Sequence, residues 1–245
     1  MPYGKYIVGD SKNVLEELFD EHGEFVDLVI TSPPYNMNKD YDNYNDSLKP
    51  YEYYTEMCGV FNQVRRVLKP DGRLAINIPM HIPSLNGNVM MFFNEVLKAC
   101  DLNLYTYIVW IKSSMGEQVF TGNNTGWGSW KSASSPAIRS YGELILFAYK
   151  SQWKKLNRGE SDISKEEFME YTKNVWYFPT TKSPHHPATF PNELPYRCMK
   201  LLSYVGDTIL DPFVGLGSTL DVANELNRES IGIDLSQKYK DVYSK

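Results

Sequence analysis

Little in this 245-residue chain points to covalent staples, membranes or metals. Its three cysteines, Cys58, Cys100 and Cys198, are far apart and odd in number, so neither a disulfide framework nor a Cys-x-x-Cys zinc site is expected. No apolar run approaches the ~18 residues that a membrane helix needs. The start, Met1-Pro2-Tyr3-Gly4-Lys5, has no apolar leader core, and a cytoplasmic protein is expected. His185 and His186 are adjacent rather than one helical turn apart, so no metal is expected either. A basic excess is also missing: 25 Lys and Arg against 30 Asp and Glu give −5, which taken alone speaks against nucleic acid. Net charge, however, says nothing about where the charges sit.

What is present is ordinary globular material, 42% hydrophobic, 22% charged and 14% aromatic. The length suits one α/β domain spanning 1–245 that buries enough surface to need no staple. Short apolar runs alternate with amphipathic stretches, the pattern of βαβ units and a mostly parallel sheet. Strands are expected at Tyr6–Val8, Phe25–Ile30, Arg73–Ile78, Leu104–Ile111, Leu144–Tyr149, Thr208–Leu210 and Ser230–Ile233. Helices are expected from Ser11, over Tyr51–Leu68, Val89–Cys100, Asn192–Ser203 and Ser218–Leu226. Residues 36–49, rich in Asn, Asp and Tyr, read as a loop, and Lys69-Pro70-Asp71-Gly72 as a stop and turn.

Two strand ends carry the chemistry. Asp211-Pro212-Phe213-Val214-Gly215-Leu216-Gly217-Ser218-Thr219 follows a strand and opens a helix. Its glycines allow a tight turn against a ligand, and the free N–H groups of a helix start favour an anionic group. The next strand ends at Asp234, where a carboxylate can accept from both hydroxyls of a ribose. A dinucleotide fingerprint would need a third glycine where Leu220 stands, so a nucleoside-containing ligand other than a nicotinamide cofactor is the better reading. The bland alternative is a tight turn without ligand.

Thr31-Ser32-Pro33-Pro34-Tyr35-Asn36 follows a second buried strand. The prolines stiffen the loop and remove donors, leaving carbonyl oxygens to accept. Ser32 Oγ and the Pro33 carbonyl can hold a planar amino group while Tyr35 offers a ring to stack on. Such a grip suits methyl transfer to an exocyclic nitrogen.

The two motifs together resemble the S-adenosylmethionine-dependent DNA amino-methyltransferases, with their (Asp/Asn/Ser)-Pro-Pro-Tyr/Phe and Asp-Pro-Phe-x-Gly-x-Gly signatures. The likeness extends to Gly128–Pro136, Glu143 and His186-Pro187-Ala188-Thr189-Phe190-Pro191, so it covers most of the chain. The catalytic motif precedes the cofactor motif, as in the family's permuted β group. The resemblance implies a Rossmann-like class I methyltransferase fold with a mostly parallel seven-stranded sheet and a circularly permuted motif order. It implies catalysis by Ser32, Pro33, Pro34 and Tyr35. It also implies that Asp10, Phe190, Asp211, Phe213, Gly215, Gly217, Ser218 and Asp234 bind S-adenosylmethionine. Double-stranded DNA is the implied substrate, and a cognate restriction endonuclease and a homodimer are compatible partners.

Ser32 in place of Asp is the variant commoner among cytosine-N4 enzymes, so N4 of a flipped-out cytosine is the expected target, with adenine N6 as the alternative. A non-catalytic DNA-binding partner of the same fold is a third reading, disfavoured by the intact motifs. Cytosine-C5 chemistry needs a thiolate, normally after a proline, and none of the cysteines follows one. The stretch from Trp110 to Arg158 carries +5, so the remainder carries −10. Lys112, Lys131, Arg139, Lys154, Lys155 and Arg158, interleaved with Gly, Ser and Trp, are therefore the expected phosphate contacts. By the resemblance, a short target-recognition insert falls around 151–178.

Overall fold

The computed structural model describes residues 4–82, 85, 89–114, 127–138, 140–181 and 183–245. Lys5–Val8 forms strand β1, after which Asp10 caps helix α1 (Ser11–His22) by accepting from the Lys12 amide at 2.8 Å. Leu15 and Leu18, three residues apart, form its buried stripe. Strand β2 (Val26–Thr31) is buried at every position, as a parallel strand covered on both faces must be. Its side chains alternate: Val29 joins one core, Leu28 and Ile30 the other. There follow β3 (Asp40–Tyr41), β4 (Tyr44–Asn45), α2 (Pro50–Val67), β5 (Leu68–Pro79), α3 (Val89–Ala99), β6 (Asn103–Ile111) and β7 (Gly142–Tyr149). The last third holds α4 (Lys165–Tyr171), β8 (Val175–Tyr177), α5 (Glu193–Leu202), β9 (Thr208–Asp211), α6 (Ser218–Glu225), β10 (Glu229–Asp234) and α7 (Gln237–Tyr243).

Among the described residues the main sheet runs β1-β10-β9-β2-β5-β7-β6-β8, and within it only β7 is antiparallel to its neighbours. α1, α2 and α3 cover one face and α4, α5 and α6 the other, giving three layers around two cores. From β9 the chain crosses through α6 to β10 on one side. From β2 it crosses through α2 to β5 on the other. The neighbours β9 and β2 therefore mark the point where the strand order reverses, and a crevice opens beyond their C-terminal ends. Both sequence motifs lie there.

Among the described residues the sheet has eight strands rather than the seven expected, because β8 adds beside β6 through Val109–Ile111. β5 begins at Leu68, before the expected Arg73. Its pairing with β2 jumps from Val26↔Leu68 to Leu28↔Arg73, so Lys69–Gly72 is an excursion within a strand and not a stop before one. The loop at 36–49 contains the small β3–β4 hairpin.

The segment 151–178, where a short recognition insert is expected, is no separate appendage: it packs back onto the sheet. The Ser151 and Gln152 amides donate to the Pro70 carbonyl, the Leu156 amide donates to the Asp71 carboxylate at 2.7 Å, and the Arg73 guanidinium donates to the Trp153 carbonyl. These partners lie at the N-terminal edge of the sheet, and the chain then returns through α4 and β8 with Trp176 fully buried. Its polar average hid three inward residues, Trp153, Ile163 and Trp176.

Lys155 is likewise no phosphate contact. It is buried between Asp27, at 3.3 Å, and Asp207, at 3.5 Å, where β2 and β9 begin. Lys154 and Arg158 are exposed on the same end, about 17 Å, the length of β2, from the crevice. Lys155→Ala should lower the unfolding free energy by about 3 kcal/mol, the lower end for a broken buried pair because Lys69 still reaches Asp27. Urea melts read that loss, and DNA titration should show affinity unchanged.

Candidate active site

The glycine turn is built around one buried carboxylate. Asp211 Oδ1 accepts from Thr31 Oγ1 at 2.8 Å and from the Phe213 amide at 3.1 Å, and Oδ2 accepts from Thr219 Oγ1 at 2.6 Å. Burial pushes its carboxyl up to about 6. Asp211 therefore ties β2, the turn and α6 together behind the crevice and does not line it, a correction to its expected contact with the cofactor. Gly217 caps α6 at φ 90°, where a Cβ would stand 2.3 Å from the Tyr243 ring. It also lies off the cavity wall, so its part is to permit the turn. Gly215, at φ 51°, faces the cavity beneath His186.

Asp234 ends β10 in register with Val8, and Asp10 follows two residues after Val8; both carboxylates line the cavity. Asp234 accepts from the Gly215 amide at 3.0 Å and the Ser236 amide at 2.9 Å, one on each oxygen, which leaves lone pairs for a ligand. Phe190, Phe213 and Ser218 complete this wall as expected. His186, whose Nδ1 accepts from the Ala188 amide at 3.1 Å, packs against Tyr239 and Tyr41 above the turn. Burial holds its pKa down at about 4, so the ring is neutral.

The Ser-Pro-Pro-Tyr loop forms the opposite wall. Ser32, Pro34 and Tyr35 line the cavity, while Pro33 is buried behind them. Ser32 Oγ and Tyr35 Oη are 2.6 Å apart, and Tyr53 Oη donates to the Pro34 carbonyl at 2.8 Å. Asn36 takes a left-handed φ of 56°; its side chain accepts from the Leu48 amide and donates to the Leu48 carbonyl. Asp46 accepts from the amides of Asn36, Met37 and Lys39, so the stretch read as a loop is pinned in place.

Behind Tyr35 lies a polar group that the sequence marked only faintly. Asn77 Nδ2 donates to Tyr35 Oη at 2.8 Å and to Glu143 Oε2 at 2.6 Å. Asn77 Oδ1 is buried with no hydrogen-bond partner among the described residues, on the wall beside Ser32. Lys112 pairs with Glu143 Oε1, so this lysine belongs to the cavity wall rather than to a phosphate-binding surface. The signal for Asn77 was its place near the end of the strand beside β2. For Lys112 and Glu143 the pairing is across β6 and β7, 31 positions apart, which no local pattern reveals. Lys131 is exposed in the turn closed by an isolated bridge between Gly128 and Pro136, its ammonium 5.8 Å from the Trp130 ring. Arg139 lies outside the described residues.

The two walls enclose one continuous cavity of about 1020 Å³, room for a nucleoside-sized cofactor and a base together. The family model for N6/N4 enzymes, described as DNA methylase, matches residues 26–245. The chain belongs to this DNA methylase family. The methylase is 38% identical over 164 residues, 65% of its length and 80% of the other's, to the Type II methyltransferase M.MjaVI of Methanocaldococcus jannaschii. Its fold matches that of a Thermus thermophilus protein, described as a DNA modification methylase and solved with S-adenosyl-L-methionine, at TM-score 0.74 and 25% identity, covering 98% and 91% of the two chains. It also shares the fold of the cytosine-N4-specific PvuII DNA methyltransferase, at TM-score 0.73 and 19% identity, covering 100% and 86%. The methyl donor of the methylase is S-adenosylmethionine. The side-chain-free turn at Gly215, the acceptors Asp10 and Asp234, and two phenylalanines fit its amino-acid, ribose and sulfonium parts.

The lowered pKa of His186 has a sign that can be checked. Between about pH 6.5 and 4 the unfolded chain protonates this histidine and the folded one resists, so stability falls as pH falls. Thermal melts of wild type and His186→Gln at pH 7 and pH 4.5 should therefore differ in slope, the variant losing less on acidification.

Proposed function

We propose that the methylase transfers the methyl group of S-adenosylmethionine to N4 of a cytosine in double-stranded DNA, within a short recognition sequence. The observation that carries the reading is Ser32 Oγ at the end of β2, beside the Tyr35 ring and facing the cofactor turn across one cavity. A duplex cannot present its base there, so the target is flipped out, at a cost of a few kcal/mol that phosphate contacts offset. Ser32 Oγ accepts from the exocyclic NH2, drawing its lone pair out of conjugation, while Pro33, buried behind it, stiffens the loop and does not reach the base as expected. Tyr35 and Tyr41 offer aromatic surface to the base. Bound S-adenosylmethionine supplies a sulfonium methyl for in-line attack by that nitrogen. Asp10, Phe190, Phe213, Gly215, Ser218 and Asp234 hold the donor, while Asp211 and Gly217 shape the turn. Lys131 is the described candidate for phosphate contact. A cognate endonuclease and a second subunit are partners compatible with a recognition surface this small.

The reading is tested by incubating the protein with labelled S-adenosylmethionine and mixed-sequence duplex DNA, followed by nucleoside analysis. N4-methylcytosine is the expected product, N6-methyladenine would correct the base, and no methylated nucleoside would overturn the reading. Ser32→Ala should cut the single-turnover rate by about 10²–10³-fold, the scale of one lost hydrogen bond to the reacting group, and leave donor binding intact.

A further inference from the structure

Methyl transfer leaves the exocyclic nitrogen with one proton too many. A serine hydroxyl can accept that proton only if it passes its own onward. The neighbours of Ser32 offer a path. Ser32 Oγ is 2.6 Å from Tyr35 Oη, which donates to the Asn77 carbonyl at 3.3 Å and to Glu143 Oε2 at 3.4 Å. Asn77 Nδ2 bridges Tyr35 Oη and Glu143 Oε2, at 2.8 and 2.6 Å, and fixes them side by side. Lys112 takes the other carboxylate oxygen, which leaves Oε2 turned to the tyrosine. Burial and the charge of Glu143 push the Tyr35 phenol well up, so it serves as a protonated link and not as the final acceptor.

We infer that Glu143 is the terminal proton acceptor of the reaction, reached from the substrate nitrogen through the hydroxyls of Ser32 and Tyr35. The inference rests on the amino-methylation reading of the same site. As the N–CH3 bond forms and the S–CH3 bond breaks, the nitrogen gives a proton to Ser32 Oγ. Ser32 passes its own to Tyr35 Oη, and Tyr35 passes its own to Glu143 Oε2. The carboxylate becomes a neutral acid, both hydroxyls end as they began, and the methylated amine leaves neutral. The 3.4 Å step is longer than a working hydrogen bond, as such contacts often are before substrate closes the site. Among the described residues, the titratable groups facing Glu143 are Lys112, Tyr35 and Tyr41, with His81 and Lys39 further along the wall.

Tyr35→Phe separates the link from the stacking surface, because it keeps the ring and deletes the hydroxyl. Once wild-type turnover is established, Tyr35→Phe and Glu143→Gln should each lower the single-turnover rate by about 10²–10⁴-fold, the range of general base catalysis. Affinity for S-adenosylmethionine and the fluorescence of flipped 2-aminopurine in DNA should be retained. The wild-type rate should fall on the acid side, and Glu143→Gln should lose that limb. A full-rate Tyr35→Phe, or an acid limb unchanged in Glu143→Gln, would overturn the relay while leaving the methylation reading standing. A wild type that makes no methylated nucleoside would overturn both.

Discussion

The carboxylate of Asp211 joins the two halves of the site. It is fully buried, and its partners come from the end of the catalytic strand, from the first turn residue and from the helix after the turn. A carboxylate placed in low dielectric favours its neutral form, and this one stays near the edge of ionisation. What it gains is geometry: Ser32 follows directly on Thr31, so the reacting wall and the cofactor wall are referenced to the same pair of oxygens. A small shift of either wall would have to break a charge-assisted hydrogen bond in a dry interior.

Where the sequence was legible, the reason is local and periodic. β2, β9 and β10 are short apolar runs with no other stable use, and the glycine turn is punctuated by residues that allow little else. Even α4, which was not anticipated, carried a signal: Ser164 and Glu167 form a reciprocal capping box. The elements that escaped notice are those whose reasons are distant. β8 is three residues long and exists because β6 offers an edge. The β3–β4 stretch holds because Asp46 collects three amides. Asn77, Lys112 and Glu143 meet only after strands 31 to 66 positions apart pair.

The charge reading shows the same limit from the other side. A +5 segment is a statement about chain order, and the fold distributes those cations over both ends of the sheet. Lys150 and Lys155 are engaged by carboxylate and carbonyl partners beneath the sheet, and Lys112 by Glu143 within the cavity. Of the group, Lys131 stands exposed beside Trp130.

The single reversed strand has a consequence for how the cavity is walled. Because β7 runs against its neighbours, its first residues, not its last, arrive at the crevice, and Glu143 pairs with Pro79 at the catalytic end. β6 ends at that same edge, so the two antiparallel neighbours could be joined by a turn of about 2–5 residues. The chain instead uses roughly thirty, from 112 to 141, for that connection. Both described ends of that connection open on the cavity, where Lys112 and Ser140 stand on its wall, so the stretch that leaves the sheet also finishes the chamber that the sheet begins.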